Sequence, residues 1–205
     1  AAELKLKLGQ QEQALADFEE QLQQLKPSSW LFNDVRSKIE ASFLRTDDYA
    51  GLVSYYEGWM TSHPDDLDAM ARIGKYLAIQ GRADAARQWY EKAIAKGPSD
   101  AKLRLALIEQ LIADGKYAEA IKQYEQLVEF DPGNPDHIER WGMLYLKHED
   151  LSEQQRTAKA AEIWNSLLKQ KPDDAVVVSR VADLFRAASM TDEALTLYKR
   201  CIELA

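Results

Sequence analysis

Three histidines are the side chains of this sequence best suited to metal binding or to proton transfer at neutral pH. His63 precedes a proline in a turn pattern, whereas His137 and His148 lie near opposite ends of one helical pattern. The last two are therefore about three helical turns apart, about 16 Å, which is too far for two ligands of one metal ion. We interpret all three as solvated or helix-capping residues.

Paired carboxylates and a lone cysteine are the other candidates for chemistry. Asp47-Asp48, Asp65-Asp66 and Asp173-Asp174 each precede a helical pattern, where carboxylates cap the helix and complement its dipole. Cys201 takes the place of a small core residue. The sequence contains no glycine-rich phosphate loop, nucleophile elbow or His-Glu-x-x-His motif. It predicts no catalytic residue, no metal and no cofactor, and no enzyme activity in this segment.

Helical hairpins are the elements that would position any site, and Leu67–Asp100 shows their pattern best. Gly81 suits the left-handed residue between two helices, and Pro98 cannot continue the second helix. Apolar and small residues recur at helical spacing in both halves: Met70, Ile73, Gly74, Leu77, Ala86, Tyr90, Ala93 and Ile94.

This 34-residue pattern recurs in phase along the chain. Proline recurs at Pro64, Pro98 and Pro132 in steps of 34, and then at Pro172 after 40 residues. Because one hairpin cannot bury its apolar face alone, hairpins of this kind stack on their neighbours. Three columns repeat with the prolines, namely the turn residue (Gly9, Asp47, Gly81, Gly115, Glu149, Ser189), a small residue (Ala14, Leu52, Ala86, Ala120, Ala160, Ala194) and an aromatic residue (Phe18, Tyr56, Tyr90, Tyr124, Trp164, Tyr198).

These columns resemble the tetratricopeptide repeat (TPR) family. The resemblance implies an all-α fold, a right-handed α-solenoid of helix-turn-helix hairpins, with five full hairpins and one partial N-terminal hairpin. It implies one domain over residues 1–205. The expected hairpins are residues 1–28 (partial), 29–66, 67–100, 101–134, 135–174 and 175–205. The partial first hairpin and the apolar last helix favour a fragment of a longer repeat-containing protein.

Local signals refine three places in this pattern. The alternation in residues 4–8 is compatible with a strand, but the repeat context favours a helix. Ser28 or Ser29 is expected to cap the helix that begins near Trp30, and we expect Trp30 to pack. Six extra residues, 151–156, contain Ser152 and Gln155 at capping-box spacing, which predicts a second helix longer by almost two turns.

Composition limits the classes of partner. The net charge of −8 disfavours nonspecific nucleic-acid binding, which needs a basic surface. The sequence has no run of about 18 apolar residues, so we predict no membrane insertion.

The resemblance also implies that the first helices of successive hairpins line a concave groove. Acidic residues on these helices are Asp34, Asp68, Glu109, Asp136, Glu139 and Asp183. The predicted partner-binding residues are the basic ones: Lys38, Arg45, Arg72, Lys75, Lys102, Arg140, Lys147, Arg180 and Arg186. Their excess favours an acidic peptide or protein segment as partner, and the alternative is that mixed charges only keep the groove soluble.

The sequence therefore predicts a protein–protein interaction scaffold or adaptor module that binds a peptide or partner protein. Two alternatives stay open: a helical-repeat RNA-binding module, and a non-catalytic assembly domain of a larger multidomain enzyme. The uncapped terminal helices add self-association as a further candidate contact.

Overall fold

The computed structural model describes residues 1–27 and 29–204, so Ser28 and Ala205, at the ends of the first and last predicted hairpins, lie outside the described residues. The regular structure within these ranges is entirely helical, which confirms the predicted all-α class. Its twelve helices are α1 (Ala2–Lys7), α2 (Gln11–Gln24), α3 (Trp30–Leu44), α4 (Tyr49–Ser62), α5 (Leu67–Ile79), α6 (Ala83–Lys96), α7 (Ala101–Ala113), α8 (Tyr117–Phe130), α9 (Pro135–Leu146), α10 (Glu153–Gln170), α11 (Ala175–Ala187) and α12 (Thr191–Leu204).

The chain divides within α6 into two compact units, Ala1–Lys92 and the residues from Ala93 onward, and each is described by itself. In the first unit α1 packs on α2, and α4 packs on both α3 and α5. In the second unit α9 packs against α8 and α10, and α11 packs against α12. The apolar columns predicted from the sequence form the buried interior of each unit, as Ile39 and Ile73 do in the first, and Leu107 and Val181 in the second.

The turns inside the hairpins explain the column that contains Gly81. Gly9, Gly81 and Gly115 have φ of 75°, 73° and 72°, the left-handed region that glycine adopts without steric cost. Asp47 and Ser189 have the same backbone at φ 53° and 61°, although both carry a Cβ. Five of the six residues in this column therefore share the left-handed backbone, whereas Glu149, in the hairpin with the insertion, does not have a positive φ.

Replacing Ser189 by glycine is expected to stabilise the chain by about 0.5–1 kcal/mol, because it removes the crowding of a Cβ in left-handed backbone. Ser179→Gly, inside α11, is the matched control, and it should destabilise by about 0.5 kcal/mol because glycine is a poor helix former. Urea denaturation of both variants measures the difference. A loss of stability in Ser189→Gly would contradict this account of the turn.

Helix caps follow the sequence signals. The Ser29 hydroxyl accepts the Phe32 N–H at 3.2 Å and begins α3. In the capping box of α10, Ser152 and Gln155 accept each other's backbone N–H groups, so this prediction is confirmed. However, α10 has 18 residues against 14 in α8, a gain of about one turn. The predicted gain of almost two turns is wrong, because Leu151 and Ser152 are used by the connection and the cap.

Of two further local predictions, one is confirmed and the other is wrong. Residues 2–7 form the helix α1, as the repeat context predicts. Trp30, the first residue of α3, is 78% exposed, so the prediction that it packs is wrong.

Small residues of the first helices contact the aromatic residues of the second helices. A Cβ on Gly74 would lie 2.9 Å from the Tyr90 ring, and one on Gly142 would lie 2.1 Å from Nε1 of Trp164. Trp164 is fully buried, and its indole N–H donates to the Glu139 carbonyl at 3.2 Å. The large indole fits because the residue opposite is glycine.

Candidate functional site

The nine predicted basic residues lie on first helices or at their C-terminal caps. In the first unit Lys38 is on α3 and Arg45 is its C-cap, and Arg72 and Lys75 are on α5. In the second unit Lys102 is on α7, Arg140 on α9 with Lys147 as its C-cap, and Arg180 and Arg186 are on α11. The repeat thus places all nine on equivalent elements.

Two of these residues form ion pairs with the preceding first helix in the first unit. Lys38 Nζ lies 2.8 Å from Glu3 of α1 and 2.9 Å from Asp34 of its own helix. Arg72 pairs with Glu40 of α3, and its Nε lies 2.7 Å from Asp68. These pairs link the first helices of neighbouring hairpins.

The second unit repeats this arrangement. Arg180 of α11 pairs with Asp136 and Glu139, both of which are on α9. Lys38, Arg72 and Arg180 occupy the same position of the repeat, so we call their contacts the first-helix ion-pair ladder. Arg186 stays within its own hairpin, where it contacts Asp183 at 3.2 Å and the Tyr198 hydroxyl at 3.1 Å.

The remaining basic residues carry most of the uncompensated charge of these helices. Among the described residues, no ion pair involves any of the following exposed side chains: Arg45, Lys75, Lys102, Arg140 and Lys147. Of the six acidic residues predicted on the same helices, only Glu109 is likewise without an ion pair in this part of the chain. The first-helix ion-pair ladder therefore neutralises carboxylates and leaves an excess of cations without an ion pair. Two of these cations have other contacts, since Arg140 hydrogen-bonds the Tyr124 side chain and Lys75 Nζ lies 5.2 Å from the centroid of the Tyr76 ring.

A buried arginine was missed by the sequence analysis. The guanidinium of Arg36, 3% exposed, pairs with Asp66 and lies 2.7 Å from Asp68. Three aromatic rings surround it, with centroids 4.8, 5.8 and 5.4 Å away in Phe32, Tyr56 and Trp59. Arg36 occupies the repeat position of Met70 and Val178, so a charged residue in an apolar column was the available signal.

Asp66 joins three roles at one side chain. It accepts the Ala69 N–H at 2.9 Å and so caps α5, accepts the Trp59 indole N–H at 2.8 Å, and pairs with Arg36. Burial alone would raise the pKa of Asp66, but the hydrogen bonds from Arg36, Ala69 and Trp59 outweigh it and hold the pKa below its usual value. Asp66 is therefore ionised at neutral pH.

A second polar contact crosses the first unit at Glu40. The Tyr56 hydroxyl donates to Glu40 at 2.8 Å, and Arg72 pairs with the same carboxylate. Burial raises the pKa of Tyr56, so its hydroxyl stays protonated and remains a donor. Glu40 replaces the small residue that the repeat has at Gly74, and its partners satisfy the charge.

Arg104 of the second unit occupies the same repeat position as Arg36 and is 4% exposed. It donates to Gln123 at 2.7 Å, to Gln126, and to the Pro98 carbonyl at 3.0 Å. Burial lowers its pKa. Neutral oxygens therefore hold this arginine, whereas carboxylates hold Arg36.

The histidines have structural contacts. His63 stacks on Trp59 with ring centroids 3.8 Å apart, and His137 lies beside the cap residue Asn134, with 3.1 Å between Nε2 and Nδ2. His148 lies 3.8 Å from Asp150. Within residues 1–27 and 29–204, no three His, Cys, Asp or Glu side chains are grouped as a metal site would need. No helix described here is both long and apolar enough to span a membrane.

Comparison with protein families agrees with the repeat seen in the sequence and the structure. Two tetratricopeptide-repeat models match the chain, one over residues 48–101 and the other over residues 77–139. Residues 48–139 of the chain therefore contain tetratricopeptide repeats. The all-α TPR fold that the sequence predicted is thereby confirmed.

Solved TPR structures share this fold. MamA aligns with a TM-score of 0.52 and 16% identity over 79% of this chain and 91% of MamA. A MamA from Desulfovibrio magneticus RS-1, from residue 41 to its end, aligns with a TM-score of 0.53 and 17% identity over 83% of this chain and 93% of that MamA. YrrB, described as a TPR protein with an unusual peptide-binding site, aligns with a TM-score of 0.52 and 13% identity over 91% of each chain. At these identities the likeness concerns the fold alone.

One curated relative is an enzyme by name. The human protein O-mannosyl-transferase TMTC1 is 27% identical over 154 residues, which are 73% of this TPR chain and 17% of that protein. The chain therefore spans about a sixth of that relative's length. TPR repeats are in general a non-catalytic interaction scaffold, and this chain is a protein–protein interaction module.

Proposed function

We propose that this chain is a non-catalytic scaffold or adaptor module whose first helices bind an acidic segment of a partner protein. The observation that carries the proposal is the excess, on the first helices, of exposed cations that form no ion pair among the described residues. Lys75 and Arg45 supply it in the first unit, and Lys102, Arg140 and Lys147 supply it in the second. The paired residues Lys38, Arg72, Arg180 and Arg186 are assigned to structure and not to the partner.

The expected binding is weak and salt-dependent. Each exposed ion pair contributes about 0.2–1 kcal/mol, and salt screens it over about 8 Å at physiological ionic strength. Several such pairs must therefore act together, and they serve specificity and association rate more than affinity. A segment with several Asp and Glu residues meets this requirement.

Peptide binding to the whole chain tests the proposal. An Asp/Glu-rich labelled peptide should bind, and its Asn/Gln counterpart should not. Lys102→Glu/Lys147→Glu should weaken binding of the acidic peptide about ten-fold in low salt, because two attractions become repulsions. Fluorescence anisotropy with increasing salt measures both effects.

The control is Lys169→Glu/Lys199→Glu, which changes net charge equally but lies on the exposed surfaces of second helices α10 and α12. Equal weakening by the two pairs would show a general charge effect and would refute binding at the first helices. Retention of the chain on heparin with steep salt dependence would favour the RNA-binding alternative, which the net charge of −8 disfavours.

A second candidate is a non-catalytic assembly domain within a larger multidomain enzyme. The 27% sequence identity to the O-mannosyl-transferase TMTC1, over 73% of this chain, favours this second candidate. It assigns the same protein-binding role to the repeats, so the peptide experiment applies to both candidates.

A further inference from the structure

The first unit contains a polar motif of three residues on consecutive helices. The carboxylate of Glu40, on α3, accepts the Tyr56 hydroxyl at 2.8 Å and also pairs with Arg72. Tyr56 lies on α4 and Arg72 on α5. One carboxylate of the chain therefore joins a tyrosine of the second helix to an arginine of the next hairpin.

The second unit has the same motif two repeats of 34 residues further along the chain, but without its carboxylate. Tyr124 on α8 and Arg140 on α9 occupy the positions of the tyrosine and the arginine. Ile108 on α7, which is fully buried, takes the place of the glutamate. The second unit thus keeps the two groups that hold the carboxylate and lacks the carboxylate itself.

Both polar groups of this incomplete motif can donate to one further acceptor. Arg140 hydrogen-bonds the Tyr124 side chain. Because a guanidinium can only donate, the phenol oxygen accepts in this bond and its proton is left to donate elsewhere. Burial raises the pKa of Tyr124, so the hydroxyl is protonated at neutral pH. Although Tyr124 is buried, its hydroxyl contacts an arginine that is exposed to solvent.

Helix α7 does not supply a carboxylate to this pair within the part of the chain that the structure describes. The positions from which α9 supplies carboxylates to Arg180 hold Lys102 and Leu105 in α7. Glu109 adds negative charge near Tyr124, but it forms no ion pair among the described residues. An anion that the equivalent residues have in the first unit is therefore missing here.

We propose that Tyr124 and Arg140 bind one carboxylate of the partner, which has the role that Glu40 has in the first unit. Because Ile108 is buried and apolar, this carboxylate approaches from the exposed side of Arg140. The inference rests on the proposed function and adds to it the residues that select one acidic group. The other cations attract the segment through space, whereas directed hydrogen bonds to an ionised acceptor fix its register.

Stability measurements test the carboxylate site without any partner. Ile108→Glu restores within the second unit the motif of the first, and Ile108→Gln is its uncharged match. At neutral pH, Ile108→Glu should have the higher urea midpoint, and this advantage should disappear when Tyr124→Phe and Arg140→Gln are added to both chains. An Ile108→Glu chain less stable than Ile108→Gln would overturn the inference.

Peptide binding tests the role of the site in recognition. The probe is an Asp/Glu-rich labelled peptide with an amidated C-terminus, followed by fluorescence anisotropy. Arg140→Gln should weaken its binding about ten-fold, and Tyr124→Phe, which removes only a hydroxyl, about three-fold or more. Tyr145→Phe, which removes a half-buried hydroxyl elsewhere on α9, is the matched control and should bind like the wild type.

Replacing the acidic residues of the peptide one at a time identifies the bound carboxylate. One replacement should weaken binding to the wild type strongly but have little effect on the Tyr124→Phe/Arg140→Gln chain, because the bond is already lost there. If only the peptide with a free C-terminal carboxylate binds and depends on Arg140, the chain terminus is the bound group. Circular dichroism of each variant confirms that the fold is retained.

The outcomes distinguish this inference from the proposed function. An acidic peptide that does not bind the wild type would refute the proposed function, and with it the role of Tyr124 and Arg140 in recognition. Binding that is equally strong in the wild type, Tyr124→Phe and Arg140→Gln would refute only the inference. In that case the acidic segment binds through the other cations of the first helices.

Discussion

Asp66→Ala is expected to destabilise the first unit by about 3 kcal/mol at neutral pH, because it leaves the buried guanidinium of Arg36 without its main partner and also removes a helix cap. Asp68 keeps its contact with Arg36 and limits the loss. Urea denaturation gives the global change, and hydrogen exchange of amides in α3 and α5 shows whether the loss lies in this unit.

Asp174→Ala is the matched control for this prediction. Asp174 caps α11 through the N–H groups of Val176 and Val177, at 3.0 and 3.3 Å, and no ion pair of a buried arginine involves it among the described residues. Asp174→Ala should therefore lower the free energy of unfolding by about 1 kcal/mol, the usual cost of removing a helix cap. Equal losses in the two variants would show that Arg36 does not depend on Asp66.

The effect of Asp66 also has a defined pH dependence. Because the pKa of Asp66 in the folded chain lies below its unfolded value, its contribution is complete above about pH 4 and is lost as pH falls through the folded pKa. The difference in unfolding free energy between wild type and Asp66→Asn should therefore be constant from about pH 5 to about pH 7, above the unfolded pKa, and should shrink in stronger acid. A difference that grows below pH 4, about the unfolded pKa, would contradict this sign.

Trp164→Ala is expected to cost about 3–5 kcal/mol of unfolding free energy, because it empties the largest fully buried side-chain site of the second unit. Gly142 cannot fill the space, and Phe185, with its ring centroid 5.9 Å from the indole, loses a neighbour. Denaturation followed by circular dichroism measures the loss, since fluorescence changes with the removal of tryptophan itself.

Trp30→Ala provides the comparison, because this side chain is 78% exposed and should change stability by less than about 0.5 kcal/mol. Similar midpoints for the two alanine variants would mean that Gly142 and Trp164 do not form the packing contact described above.

The repeat made the helices and turns predictable. The column of turn residues has left-handed backbone at Gly81 and even at Ser189, but not at Glu149, where the six-residue insertion follows. The caps at Ser29 and Ser152 follow from local hydrogen bonds over three residues, which sequence patterns capture well. Trp30 was predicted wrongly because the first residue of a helix has little of the helix around it, and its direction is not set by the period.

The partners of charged residues were not predictable in the same way. Arg72 forms an ion pair with Glu40, and Arg180 forms one with Asp136, in each case on a different helix. These contacts are hard to predict because the long side chains have several rotamers. The sequence placed these residues on the same face but could not assign which cations are used within the fold. The proposal that Lys75 and Lys102 contact a partner, whereas Arg72 has a structural role, rests on the side-chain contacts.

The contact between Arg36 and Asp66 restricts the order in which these two positions can change during evolution. Met70 shows that an apolar residue suits the repeat position of Arg36, so a lineage can replace the arginine first and leave a partly solvated carboxylate that still caps α5. The opposite order passes through a chain with a stranded buried charge, which selection removes when stability is marginal. The history of the pair is therefore directional, and Asp66 is the residue expected to persist.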